Sequence, residues 1–309
     1  MSNQRYKIET DRHSAQNGGG VRELSAQVAS HPARERLLKG PVMPIGGAEE
    51  RSTSGVILRT FVELAGKADA KIVVIPTASS EPDTGEDYVE VFERIGAASV
   101  EIAKIESRED ANSDEMVEML GRASGIFITG GDQARLSKLM VGTRSSETIE
   151  RCNKVGVVVA GTSAGASILS AHMMSNGESE APPHKGMVEI VAGFGLLDNV
   201  IVDQHFSTRG RIGRLLVTFA ANPGLVAFGI DENTALVIHP DGLAKAIGEN
   251  SVTVVDGRDV YSDYHDRKDG DILTITGSSV HVLAPGRIFD LNRRVILHLK
   301  QEQTATSSS

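Results

Sequence analysis

Short apolar runs recur along the chain: KIVVIP (71–76), ASVEIAKI (98–105), GIFITG (125–130) and VGVVVAG (155–161). They are rich in β-branched residues, and most run on without polar alternation, as strands covered on both faces do. Between them, apolar residues fall at helical spacing. Val56, Ile57, Phe61, Val62 and Leu64-Ala65 form one stripe, Tyr88, Val89, Phe92 and Ile95 a second, and Met116, Val117, Met119 and Leu120 a third. Strand–helix alternation predicts an α/β fold with crossover connections and a largely parallel sheet. After residue 223 the texture changes. LVAFGID, TALVIHP, AKAIG, SVTVVDG, DILTITG and SVHVLAP follow one another with only turn residues between, which predicts an antiparallel extension on the same domain or at its edge.

The ends do not share these periods. Residues 1–38 are polar and aperiodic and read as a flexible arm, and the tail QEQTATSSS (301–309) as disordered; residues 39–300 remain as a single catalytic α/β domain. With 32 Lys and Arg against 41 Asp and Glu, the formal charge of the 309 residues is −9, which argues against nucleic acid as a partner. No run approaches the ~20 apolar residues of a membrane span. The N-terminus has no signal-peptide pattern, so the expectation is a cytoplasmic enzyme without membrane association. Cys152, the only cysteine, can form no intramolecular disulfide.

The segment VVVAGTSAGAS carries the first chemical signal: an apolar strand ends at Ala160-Gly161 and a small-residue helix is expected from about Ser163. Gly161, Ala164 and Gly165 permit a sharp strand-to-helix elbow, which lifts one side chain above the sheet edge and sets a helix N-terminus beneath it. A phosphate cradle or a purely structural turn fits the same residues, although the usual phosphate fingerprints are absent. A second turn, Gly130-Gly131, follows the preceding strand. Its backbone N–H groups can complete an oxyanion hole with that of Ala164.

A serine nucleophile needs a base and an acid to orient it. His205, at the end of the apolar run Val200–Val202, is the candidate base, and Asp231 or Glu232 in FGIDENTALVI the candidate acid; periodicity does not choose between the two carboxylates. No histidine pair has metal-ligand spacing, so no metal and no cofactor is expected. Ser207 reads as an N-cap for a helix whose buried stripe is Ile212, Leu215, Leu216 and Phe219. Arg209, Arg211 and Arg214 would then occupy its first two turns, against the helix dipole, which implies that they bind something anionic.

GGDQARL, GTSAGAS, DQHFSTRGRIGRLL and GIDENTAL, in this order, resemble the motifs of cyanophycinases, within the peptidase E-like serine peptidases; PIGGAEE and VVIPTASSEP resemble earlier segments of that family. The resemblance spans about residues 40 to 298. It implies a three-layer α/β sandwich with a mostly parallel central sheet, similar to class I glutamine amidotransferases, usually as a homodimer. It implies hydrolysis of the poly-aspartate backbone of cyanophycin, releasing β-aspartyl-arginine dipeptides. Ser163 would be the nucleophile, His205 the base and Glu232 its orienting acid. Gly131 and Ala164 would form the oxyanion hole, and Gln133, Asp203, Gln204, Arg209, Arg211 and Arg214 would line the substrate site. An isoaspartyl or aspartyl dipeptidase of the same fold is the neighbouring alternative. A non-catalytic module, with Ser163 capping a helix over an anion, is the reading from another class.

Overall fold

The computed structural model describes residues 40–297; the N-terminal arm (1–38) and the tail (301–309) lie outside them. The first half of the fold alternates as its apolar runs predict. Strands β1 (Val42–Ile45), β2 (Lys71–Ile75), β3 (Ser99–Ile102), β4 (Gly125–Ile128) and β5 (Val158–Thr162) are interleaved with helices α1 (Val56–Leu64), α2 (Thr84–Ile95), α3 (Asp114–Gly121), α4 (Gln133–Met140) and α5 (Arg144–Lys154). After β5 come a single-turn helix α6 (Ala164–Ser167), the hairpin β6 (His172–Gly177) and β7 (Val188–Ala192), strand β8 (Val200–Gln204) and helix α7 (Ile212–Ala221). Apart from a 3-10 turn at Tyr264–Asp266, the remaining elements are strands: β9 (Val226–Ile230), β10 (Thr234–Ile238), β11 (Leu243–Gly248), β12 (Val252–Asp256), β13 (Tyr261–Ser262), β14 (Ile275–Thr276), β15 (Ser279–Leu283), β16 (Ile288–Asp290) and β17 (Val295–Leu297).

The principal sheet runs β17-β16-β11-β10-β1-β5-β4-β2-β3. Strands β1, β5, β4, β2 and β3 are parallel, and the four from β10 outward join antiparallel. Both faces are buried, which is why the central runs show no polar alternation. Met43, Ile45, Ile72, Val74, Phe127 and Val158 pack against Ile57, Leu58 and Phe61 of α1 and Tyr88 and Phe92 of α2. Val73, Ile75, Ile126, Ile128 and Val159 face Met116, Leu120, Leu136, Met140, Ile149 and Cys152 from α3, α4 and α5. The result is a helix–sheet–helix sandwich.

The strand-rich C-terminal half serves two sheets. Strands β10, β11, β16 and β17 lengthen the principal sheet, whereas β9, β12 and β15 join β8 in a second, four-stranded one. Val202, Phe228, Ile230, Val252 and Val254 of this second sheet belong to the same core as the α3–α5 face, so the two sheets share one apolar interior.

The small-residue helix expected from about Ser163 is α6, a single turn that ends at Ser167 before the chain turns into β6 at His172. One local expectation is overturned. Ser207 does not cap α7: the helix begins at Ile212 with Arg211 as its N-cap residue, and Ile212 is 43% exposed rather than buried. Gly210, at φ +57, lies between them in a left-handed conformation that interrupts any helix begun at Ser207.

Candidate active site

Ser163 sits on the elbow between β5 and α6 with φ 52 and ψ −114, outside the regions that a non-glycine residue ordinarily occupies. The elbow is tight because its neighbours lack side chains. A Cβ on Gly161 would lie 2.0 Å from the Gly165 carbonyl oxygen, and one on Gly165 2.2 Å from that of Ile128. The turn after β4 closes on the same point: a Cβ on Gly130 would come within 3.0 Å of the Ser163 Cβ. Since α6 is one turn long, its macrodipole is small, and the elbow's contribution is individual N–H groups. Ala164 opens the helix, so its N–H has no intrahelical acceptor. Gly131, at φ +140, packs its bare backbone against Ala78, where a Cβ would lie 2.0 Å from the carbonyl oxygen.

His205 follows β8 directly, and its Nε2 is 2.9 Å from Ser163 Oγ. Its Nδ1 is 2.7 Å from Glu232 Oε1, in the turn between β9 and β10. With Glu232 on Nδ1, Nε2 is left to accept the serine proton. Of the two carboxylates, Glu232 is the one that stands against His205. Asp231 is 7% exposed and points elsewhere, accepting from the amides of Ser207 (2.9 Å) and Ser251 (3.2 Å) and from Ser251 Oγ (2.7 Å). Burial holds the His205 imidazole below its usual 6.5; the Glu232 hydrogen bond opposes this, and the positive charges of Arg209 and Arg211 reinforce it.

The remaining predicted residues form one buried network with a single outlier. Gln133 Nε2 donates to the Met174 carbonyl (2.5 Å) and Gln204 Nε2 to Gln133 Oε1 (2.8 Å). Arg211 donates to Gln204 Oε1 (2.5 Å) and to Asp203 Oδ1 (3.1 Å). Arg214 grips Asp203 through Nε (2.7 Å to Oδ2) and Nη2. The anion inferred from the arginine-rich segment is thus met inside the protein for Arg211 and Arg214: it is Asp203, only 1% exposed. Asp203 itself, expected to face a guanidinium of a substrate, faces these two instead. Burial lowers Arg211 to about 10; the Asp203 charge opposes this, and the neighbouring charges of Arg214 and Arg209 add to it. Arg209 differs. It is exposed, and its guanidinium makes no ion pair among the described residues.

This constellation of Ser, His and Glu at the carboxyl ends of strands has the layout of a serine hydrolase. Residues 42–246 match the model of peptidase family S51. The chain belongs to that family. Two cyanophycinases, from Synechococcus elongatus and from Nostoc sp., are each 40% identical to this S51 peptidase over 263 and 262 residues. Those spans are 84% of this chain in both comparisons, and 82% and 88% of the relatives. Among solved structures, a peptidase from an acI-B1 Actinobacterium shares the fold, with a TM-score of 0.63 at 21% identity, covering 83% of this chain and 99% of its own. As a member of S51 the protein is a serine peptidase, and the dipeptidase alternative is not favoured. No helix among the described residues is long and apolar enough to cross a membrane.

The residues that pattern reading passed over are those whose role is purely tertiary. Ser167 Oγ accepts from Gln204 Nε2 (3.3 Å) and donates to the Val202 carbonyl (3.2 Å), binding α6 to the second sheet. The loop after β1, whose PIGGAEE segment signals the family but no chemical role, also reaches into the site.

Proposed function

We propose that this S51 peptidase cleaves the poly-aspartate backbone of cyanophycin, with Ser163 as nucleophile, His205 as general base and Glu232 as the group that orients it. The observation that carries the reading is the unbroken relay from Ser163 Oγ through His205 to Glu232, at 2.9 and 2.7 Å. In this reading His205 Nε2 takes the Ser163 proton as Oγ bonds to the scissile carbonyl carbon. The Ala164 and Gly131 amides receive the oxyanion. The imidazolium then protonates the leaving amine, and water, activated by the same imidazole, releases the product acid and regenerates Oγ–H.

The substrate class is supported by the cyanophycinase relatives and by the free cation at the site. Each β-aspartyl-arginine unit of the polymer carries the free carboxylate of its arginine, and Arg209, exposed and without an ion pair among the described residues, can meet one. Gln133 and Gln204 would line the same site. Asp203, Arg211 and Arg214 would act behind them as a charged brace that holds the Gln204 amide in place. Incubating the protein with purified cyanophycin should release β-aspartyl-arginine, while short β-aspartyl dipeptides should remain intact. Turnover of the dipeptides but not of the polymer would reject the substrate, and unchanged turnover by Ser163→Ala would reject the mechanism. A homodimer and a cytoplasmic location belong to the same proposal, supported by the family resemblance. Light scattering on the purified protein and fractionation of the source cells test them.

A further inference from the structure

The end of β1 and the loop leaving it touch Ser163 and His205 directly and reach Glu232 through its neighbour Asn233. Three successive carbonyls each accept an amide from a different part of the site. Ile45 O accepts from Ser163 N (3.0 Å), Gly46 O from His205 N (2.9 Å), and Gly47 O from Asn233 N (2.8 Å), the residue after Glu232. The bond is returned from the other side, where Glu50 N donates to Asn233 Oδ1 (2.9 Å). Gly47 lies at φ +98, and a Cβ there would fall 2.4 Å from the His205 ring, so the imidazole rests on bare backbone. Ser163, His205 and Asn233 are themselves held at φ 52, 50 and 48. Such conformations cost about 1–3 kcal/mol each and persist only where surrounding contacts over-determine them.

What holds the loop is Glu49. This carboxylate is 6% exposed and plays no part in the relay. Its Oε2 accepts from Thr162 Oγ1 (2.6 Å), and its Oε1 from the Tyr88 hydroxyl. Burial, reinforced by the Glu49 charge, raises the Tyr88 phenol well above its usual range, so it stays a donor. Arg51 closes the cluster, its guanidinium 4.5 Å above the Tyr88 ring. Thr162 is the residue immediately before the nucleophile.

We infer that Glu49 is a positioning residue for the hydrolytic reaction: by tying the 45–50 loop to Thr162, its carboxylate sets the separation of the Ser163 hydroxyl from the His205 imidazole. The inference rests on the triad reading. Glu49 touches no reacting atom, so its loss acts on kcat and leaves KM nearly unchanged.

The test compares Glu49→Gln, Thr162→Val, Thr162→Ser and Ser163→Ala. Each is assayed for cyanophycin turnover per folded molecule and for the rate of labelling by a fluorophosphonate, which needs no natural substrate. Glu49→Gln and Thr162→Val should slow both labelling and kcat by about ten- to a hundredfold, the scale of a sub-ångström misplacement, with KM within about threefold. Thr162→Ser, which keeps the hydroxyl, should recover most of the rate. Wild-type labelling and kcat in Thr162→Val overturn the inference. So does Thr162→Ser as slow as Thr162→Val, because the lost methyl rather than the hydroxyl would then be responsible. If Glu49→Gln does not fold, the threonine pair decides alone. Turnover surviving in Ser163→Ala would overturn the triad reading instead, so the two failures are distinct.

Discussion

Arg214 offers the sharpest test of how charge is used beneath the site. Read from the sequence, it opposes a helix dipole, and Arg214→Gln should be neutral or stabilising by ~0.3–1 kcal/mol. The structure reverses that sign. The Arg214 side chain is 5% exposed, the Asp203 side chain 1%, and the two meet through paired hydrogen bonds. Removing one partner of a buried pair costs about 3–5 kcal/mol, because the other charge stays behind without compensation. Arg211 still lies 3.1 Å from Asp203 and neutralises part of that charge, which places the loss near the lower bound. Subtracting the dipole relief leaves about 2–3 kcal/mol. At about 2 °C per kcal/mol for a domain of this size, the thermal midpoint should fall by roughly 4–6 °C. Scanning calorimetry on parent and variant measures it, and kcat/KM per folded molecule on the same samples separates stability from catalysis. A midpoint at or above that of the parent would refute the buried-pair reasoning and return Arg214 to the list of free ligand-binding cations.

Glu232→Gln should lower kcat by about 10²–10⁴-fold through loss of imidazole orientation, whereas Asp231→Asn should act on thermal stability; steady-state rates and melting curves that exchanged these effects would reassign the acid. Because His205 is held below 6.5, the acid limb of kcat/KM should lie below pH 6.5, and Arg209→Gln, which removes a charge that lowers it, should move the limb upward in a pH–rate profile. The sign for stability follows from the same shift: above pH 6.5 the ring is neutral folded or unfolded, and as pH falls below 6.5 the unfolded chain binds its proton first, so this contribution to stability is lost there. Hydrolysis should survive exhaustive dialysis against EDTA; loss of activity restored by added zinc would contradict a metal-free mechanism.

The site was legible where its signal is local. Gly161, Ala164 and Gly165 mark the elbow because a Cβ at either glycine would meet a backbone carbonyl, and Gly130-Gly131 marks the adjoining turn for a similar reason. Ser163 and His205 were legible as residues at the carboxyl ends of apolar strands, although those strands lie in different sheets. Nothing local separates Asp231 from Glu232. Adjacent residues in a turn point apart, and only the position of His205 and Ser251 tells which carboxylate goes where. The start of α7 was misplaced because Ser207 resembles a cap, while its amide is engaged by Asp231 across the fold. The second sheet escaped notice for a related reason: β9 and β10 are separated by a short turn but pair in different sheets, a partition set by distant partners.

That partition bears on how the enzyme comes into being. Ser163 ends a strand of the principal sheet, His205 ends one of the second sheet, and Glu232 lies in the turn that passes between them. The principal sheet is itself closed by β1 against β10, pairing Val42 with Ile238 from opposite parts of the chain. Contacts so remote in sequence form late and slowly. On dilution from denaturant, secondary structure should therefore return first and hydrolytic competence last, with a measurable lag. A ribosome-bound chain that has emerged only as far as β9 carries Ser163 and His205 but not Glu232, so on the triad reading a nascent molecule should stay inactive until the turn before β10 has emerged.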